Sequence, residues 1–231
     1  MSSAIISQAR SEGRTGLTVN ESKDVLREFG LPVNETVLVR DEAEVGPVAE
    51  RLGFPVVMKI VSPQILHKTD VGGVVLDIRS AEQAREEYNA MLARVRQVRP
   101  EADITGVALE HQLGEGLELI VGTLDDPVFG PCLMFGMGGI LVEVLKDVSF
   151  RLIPAERSEV EAMVGEINFA KLLDGVRGQP PVDKAAVVDV LMKVSEFVSQ
   201  HSDSVAEIDL NPIIASPTGV EIPDARIILK S

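Results

Sequence analysis

The chain has 231 residues, 45% of them hydrophobic and 25% charged, a composition suited to one large globular domain or two compact lobes. Its formal net charge of -14 argues against a nucleic-acid or anionic-membrane partner, since phosphate backbones and anionic headgroups attract a basic face. The single cysteine, Cys132, excludes an intrachain disulfide and leaves no thiolate set for a zinc cage, which fits a reducing cytoplasm. No apolar run at the start is long enough for a secretory signal. The most apolar stretch, "PVFGPCLMFGMGGILVEVL", is broken by prolines and glycines and reads as core and loop, not as a bilayer helix.

In chain order, "ESKDVLREFG" places Val25, Leu26 and Phe29 on one helical face and stops at Gly30. "PVNETVLVR" predicts a turn and then a strand, and "AEVGPVAERLG" a short helix closed by Gly53. "FPVVMKIV" and "GGVVLDI" are two apolar strands, with Gly72 and Gly73 marking a tight or mobile connection. "SAEQAREEYNAMLARVRQV" is a long amphipathic helix, with Ser80 as N-cap and Gln83 placed for a capping box. These elements make a first lobe. A second opens with the strands "ITGVALEHQL", "LELIVGTL" and "PVFGPCLMFG", followed by the short strand "FRLIPA". The helices "ERSEVEAMVGEI" and "PVDKAAVVDVLMKVSEFVSQ" come next, and "VAEIDLNPIIAS" and "GVEIPDARIIL" close the chain as two strands around a Pro-Thr-Gly turn. The predicted class is α+β. The predicted division is residues 1–105 for an N-terminal segment plus small lobe, with 1–23 packing on the second lobe, and residues 106–231 for the large lobe.

Several residues could carry chemistry. Lys59 lies in an otherwise apolar strand and either snorkels outward or meets an anion. Gly136, Gly138 and Gly139 follow an apolar strand, as in a phosphate-cradling loop or a plain tight turn; neither the Walker nor the dinucleotide fingerprint is matched. Arg151, between apolar neighbours in "SFRLI", shares the ambiguity of Lys59. Asp209 and Asn211 are two apart and share a strand face, with Asp224 on the next strand. Two carboxylates and an amide oxygen suit Mg²⁺ touching substrate phosphates, and an Asx turn before Pro212 is the alternative. Of the three histidines, His201 sits at a helix end, and His111 lacks the neighbours for a transition-metal site. His67, in a Pro- and Gly-flanked stretch, is either a surface-loop residue or a phosphoryl-accepting nucleophile.

Taken together, "PVVMKIVSPQILHKTDVGGV", "GLELIVGTLDDPVFGP", "MFGMGGILVEVLKDVSFRLIP" and "EIDLNPII…PDARIIL" closely resemble the ATP-grasp β subunit of ADP-forming acyl-CoA synthetases, relatives of succinyl-CoA synthetase. The resemblance implies an ATP-grasp fold of two α+β lobes with the nucleotide in the cleft between them. It implies the reaction acyl-CoA + ADP + phosphate ⇌ carboxylate + ATP + CoA, and an α subunit carrying the CoA and ligase domains in an α2β2 heterotetramer. His67 would be the phosphohistidine, and Asp209, Asn211 and Asp224 the Mg²⁺ ligands. Lys59, Glu118, Gly138, Gly139 and Arg151 would face the ATP or ADP. The adenine hinge, "VQEM" in relatives, is "LEHQ" here and brings in Glu110 and His111. The alternative within the same fold is a non-catalytic nucleotide-binding module. That reading leaves a phosphoryl acceptor without a use.

Overall fold

Alternating burial along the strands decides which side of each sheet is core. In β2 (Val56–Val61), Val56, Met58 and Ile60 are fully buried, whereas Lys59 between them is only partly so. In β4 (Gly106–His111), Val107 and Leu109 are likewise buried among apolar neighbours. This period of two covers one face of a sheet and leaves the other to polar chemistry. The computed structural model describes residues 2–62, 64–65, 68–139, 147–176 and 178–230. The chain divides into two compact units, Asn34–Gly114 and Met1–Val33 with Glu115–Ser231.

The unit Asn34–Gly114 holds a four-stranded antiparallel sheet in the order β1-β4-β2-β3, where β1 is Thr36–Val39 and β3 is Val74–Ile78. One face is covered by α3 (Glu42–Leu52) and α4 (Ala81–Val98), through Val45 and Ala49 of the first and Ala84, Tyr88, Met91 and Val95 of the second. Helix α3 ends at Gly53, whose φ of 80° a residue with a Cβ adopts at a cost. Helix α4 starts at Ser80, whose hydroxyl accepts from the Gln83 N–H at 3.1 Å. The expected reciprocal half of that box is displaced by one residue: the Gln83 side chain accepts from the Arg79 N–H.

The other unit has a six-stranded sheet ordered β10-β8-β5-β6-β7, with β9 pairing β8. Here β5 is Leu117–Asp126, β6 Gly130–Met137, β7 Val148–Leu152, β8 Val205–Ser216, β9 Gly219–Glu221 and β10 Arg226–Leu229. Its apolar face is covered by α1 (Ser2–Ser11), α2 (Val19–Glu28), α5 (Arg157–Glu166) and α6 (Lys184–Gln200). Phe135 and Phe197 are fully buried in this core, and each such side chain contributes about 1.5–3 kcal/mol. The capping box at Thr18 and Glu21 starts α2. The Glu21 carboxylate also pairs with Arg14, which holds its pKa down to about 2. Among the described residues, no helix is long and apolar enough to cross a membrane.

Two expected boundaries are corrected. β4, read as the first strand of the large lobe, is an inner strand of the four-stranded sheet, paired with β1 and β2. The division therefore falls after Gly114 and not at residue 105, because Val107 and Leu109 complete the apolar face that α3 and α4 cover. Residues 1–33 belong to the six-stranded unit, where the Leu17 N–H donates to Ile227 O and the Leu229 N–H to Thr15 O. The last predicted strand is also two: β9 pairs with the end of β8 and β10 with its start, and Asp224 lies between them.

Candidate functional site

On β8 the core-facing residues run Ile208, Leu210, then Ile213 and Ala215. The step of three comes from an irregularity opposite β5, where Val121 pairs with Leu210 but Leu119 pairs with Ile213. Glu207 and Asp209 precede it on the face away from the helices, and Asn211 lies within it. The neighbouring β10 sets Arg226 against Asp209, and the exposed Asp224, just before β10, lies near enough to raise the Asp209 carboxyl.

Gly138 and Gly139 follow β6 and join this group. The Gly138 N–H donates to Glu118 O at 2.9 Å, and the Gly139 N–H donates to Asn211 Oδ1 at 3.2 Å. Asn211 therefore reaches across the sheet instead of closing a local Asx turn. Gly138 has no room for a side chain, and Gly139 adopts a positive φ beside the Glu118 carboxylate. A Cβ on Gly138 would lie 2.6 Å from the Leu119 carbonyl, and one on Gly139, where φ is 61°, would run into the Glu118 carboxylate. The structure thus gathers Glu118, Gly138, Gly139, Asp209, Asn211 and Asp224 at one corner of the six-stranded sheet.

Electrostatics at this corner favour a cation. Burial raises the Asp209 carboxyl above the ordinary carboxylate value; Glu207 and Asp224 raise it further, and Arg226 opposes them. A hard divalent cation would relieve that repulsion, and carboxylate plus amide oxygens are its preferred donors. Among the described residues no three His, Cys, Asp or Glu side chains are grouped so as to hold a metal ion. Two carboxylates and an amide oxygen are the donor types that Mg²⁺ takes.

In the four-stranded unit, Lys59 and Glu110 emerge on the face opposite α3 and α4. Lys59 Nζ donates to Glu110 Oε2 at 2.7 Å, and Thr36 Oγ1 donates to Glu110 Oε1 at 2.7 Å. Glu110 is buried while Lys59 remains a third exposed, so its ammonium is held but can still reach an anion. His111 projects from the other side of β4, with Nδ1 at 2.9 Å from Gly53 O at the end of α3. The period of two separates the adjacent hinge candidates.

Arg151 is not brought to the glycine corner. It pairs in β7 with core-facing Leu133 and lies on the helix side, where Nη2 contacts Glu166 of α5 at 2.5 Å and Nη1 donates to Phe150 O. His67 lies outside the described residues. The sequence reading missed Glu207, although the alternation Glu207–Asp209–Asn211 in "AEIDLNP" signals a shared face, and Thr36, whose hydroxyl carries no pattern of its own.

The family model described as an ATP-grasp domain matches residues 8–229. The chain is 43% identical over 228 residues to acetate–CoA ligase [ADP-forming] II subunit beta of Pyrococcus furiosus, covering 98% of this chain and 97% of that one. It superposes on dinucleotide-forming acetyl-coenzyme A synthetase 1 of Ca. Korarchaeum cryptofilum, in complex with coenzyme A, Ca-AMPCP and HgCl+, with a TM-score of 0.87. That match has 42% identity and covers 100% of both chains. A second structure of that enzyme, with coenzyme A and Mg-AMPPCP and a phosphohistidine segment pointing towards the nucleotide binding site, gives a TM-score of 0.85 at 39% identity, covering 100% of each chain.

Proposed function

The chain belongs to the ATP-grasp family and, within it, to the beta subunits of ADP-forming acetate–CoA ligases, and we propose how its residues serve that reaction. It is the nucleotide-binding subunit of a ligase that interconverts acetyl-CoA, ADP and phosphate with acetate, ATP and CoA. The observation that carries the site assignment is the convergence of Asn211 with Gly139, and of Glu118 with Gly138, beside the mutually repelling Asp209 and Asp224.

In this reading Gly138 and Gly139 add no side chains of their own to the corner, so that a phosphate can come close to backbone. Asp209, Asn211 and Asp224 would hold Mg²⁺, which when bound neutralises charge on the phosphate oxygens. Lys59 supplies a second positive charge to the phosphates, and Glu110 with Thr36 keeps that ammonium oriented. His67 is the phosphoryl acceptor. A ring nitrogen lone pair forms the P–N bond to the γ-phosphorus while the bond from phosphorus to the ADP oxygen breaks. In the direction of ATP synthesis the same bonds exchange in reverse. Arg151 is left out of the nucleotide site because Glu166 and the Phe150 carbonyl hold it on the opposite face.

The beta-subunit relationship implies an alpha partner, and the proposed assembly is an α2β2 heterotetramer in the cytoplasm, with the alpha subunit supplying the CoA and ligase domains. The test is to combine the chain with a cognate alpha subunit, acetyl-CoA, ADP, phosphate and Mg²⁺, and to follow ATP and free thiol together. Equal yields of ATP and CoA are expected, both requiring the chain. Thiol release without ATP, or no turnover with a competent alpha subunit, would overturn the assignment.

A further inference from the structure

Helix α2 carries a lysine that is almost wholly removed from solvent. Lys23 of α2 is 1% exposed, and its Nζ donates to the carbonyl oxygen of Pro223 at 3.0 Å. A lysine amine taken out of water is costly unless its hydrogen bonds are made, so a helix that buries one needs a reason beyond packing. Pro223 immediately precedes Asp224. The same short segment is held from a second direction, because the Ile222 N–H donates to Pro32 O and Val33 forms a parallel bridge with Ile222. Pro223 has no N–H of its own, so its carbonyl is the one backbone hydrogen-bonding group that residue offers. The stretch between β9 and β10 is thus held by α2 and by the turn after it.

We infer that Lys23 is a positioning residue for the nucleotide-linked cation: its ammonium fixes the Pro223 peptide and so aims the Asp224 carboxylate towards Asp209 and Asn211. The inference rests on the proposed metal role of Asp224 and adds to it a residue in another element, well over a hundred positions away in sequence. Groups that orient a metal ligand typically change metal affinity by about 10–100-fold when removed. The chain's N-terminal helices thereby become part of the phosphate-transfer apparatus, not merely a cover for the sheet.

Binding of Mn²⁺ in the presence of ADP, read by electron paramagnetic resonance on the full chain, tests this without relying on turnover. Lys23→Met keeps the volume and removes the donor. The expected result is a rise of about tenfold or more in the Mn²⁺ dissociation constant, with the native circular-dichroism spectrum kept and binding recovered in Lys23→Arg. Should Lys23→Met fail to fold, Lys23→Gln, which keeps a shorter donor, decides the matter by the same shift in metal affinity. Asp224→Asn serves as the control that separates the two levels. Weakened Mn²⁺ binding in Asp224→Asn with unchanged binding in the folded Lys23 variants would overturn the positioning role alone. Unchanged binding in Asp224→Asn, or none in the wild type, would overturn the metal reading and the inference with it.

Discussion

Replacing Gly138 by alanine should damage the fold and the site together. A Cβ there would stand 2.6 Å from both the carbonyl carbon and oxygen of Leu119 and 2.8 Å from its nitrogen, all backbone atoms of β5. Ordinary contact begins near 3.4 Å, so the segment after β6 must move by about 0.8 Å. That movement stretches the bond from the Gly138 N–H to Glu118 O and disturbs the neighbouring bond from Gly139 to Asn211. Overpacking of this kind costs about 1–3 kcal/mol, and one lost buried hydrogen bond adds about 1 kcal/mol, for a total of about 2–4 kcal/mol. Urea unfolding followed by circular dichroism measures the loss, and a nucleotide titration measures the site. Gly165→Ala is the internal control, since a Cβ there meets nothing within 4 Å and Gly165 lies in α5. That change should stabilise by about 0.5 kcal/mol. A Gly138→Ala protein as stable as the wild type, with nucleotide affinity intact, would refute the close-approach argument.

Asp209→Asn should raise stability while abolishing Mg²⁺-dependent nucleotide binding. The folded-state carboxyl titrates above its unfolded value, so the charged form carries a penalty that is fully present above the folded pKa and vanishes as pH falls to the unfolded value. The gain in urea midpoint should therefore be present at pH 7 and absent near pH 3; a gain that grows in acid would contradict the sign. Asp147 behaves oppositely. Burial alone would raise it, but donors on Asn168 and Phe169, at 2.8–3.0 Å, hold it below the ordinary carboxylate value. Its contribution is present above the unfolded pKa and lost as pH falls through the folded one, so Asp147→Ala should cost about 3 kcal/mol at pH 7 and less in acid, as measured by urea melts at both pH values. Lys59→Met should weaken ADP binding about tenfold in calorimetry, the scale of one charge-assisted phosphate contact, and unchanged affinity would remove Lys59 from the site.

Much of this architecture is legible from local pattern. The strand Val56–Val61 announces itself by its apolar run, and α4 by Ser80 and the spacing of Tyr88, Met91 and Val95. The placement of β4 is not legible in that way, because period-two burial says that a strand has a core face but not which sheet receives it. Asp209 and Asn211 are two apart on one strand, whereas Asp224 comes near Asp209 only because the chain returns to pair β10 with β8. Arg151 shows the converse. Its apolar neighbours are compatible with either face, and only the pairing with Leu133 and the position of Glu166 turn it towards the helices. Lys23 sits in a polar-looking helix segment, and the carbonyl its ammonium meets is contributed by residue 223.

The measurement that bears most directly on the account is phosphoryl transfer to the chain itself. The wild type and His67→Ala, each with Mg²⁺, γ-labelled ATP and a cognate alpha subunit, are separated by subunit and assayed for acid-labile, base-stable label. Label is expected on the wild-type chain and not on His67→Ala, with both proteins binding nucleotide. Label retained in His67→Ala, or absent from a wild-type chain that binds Mg-ATP, would contradict it.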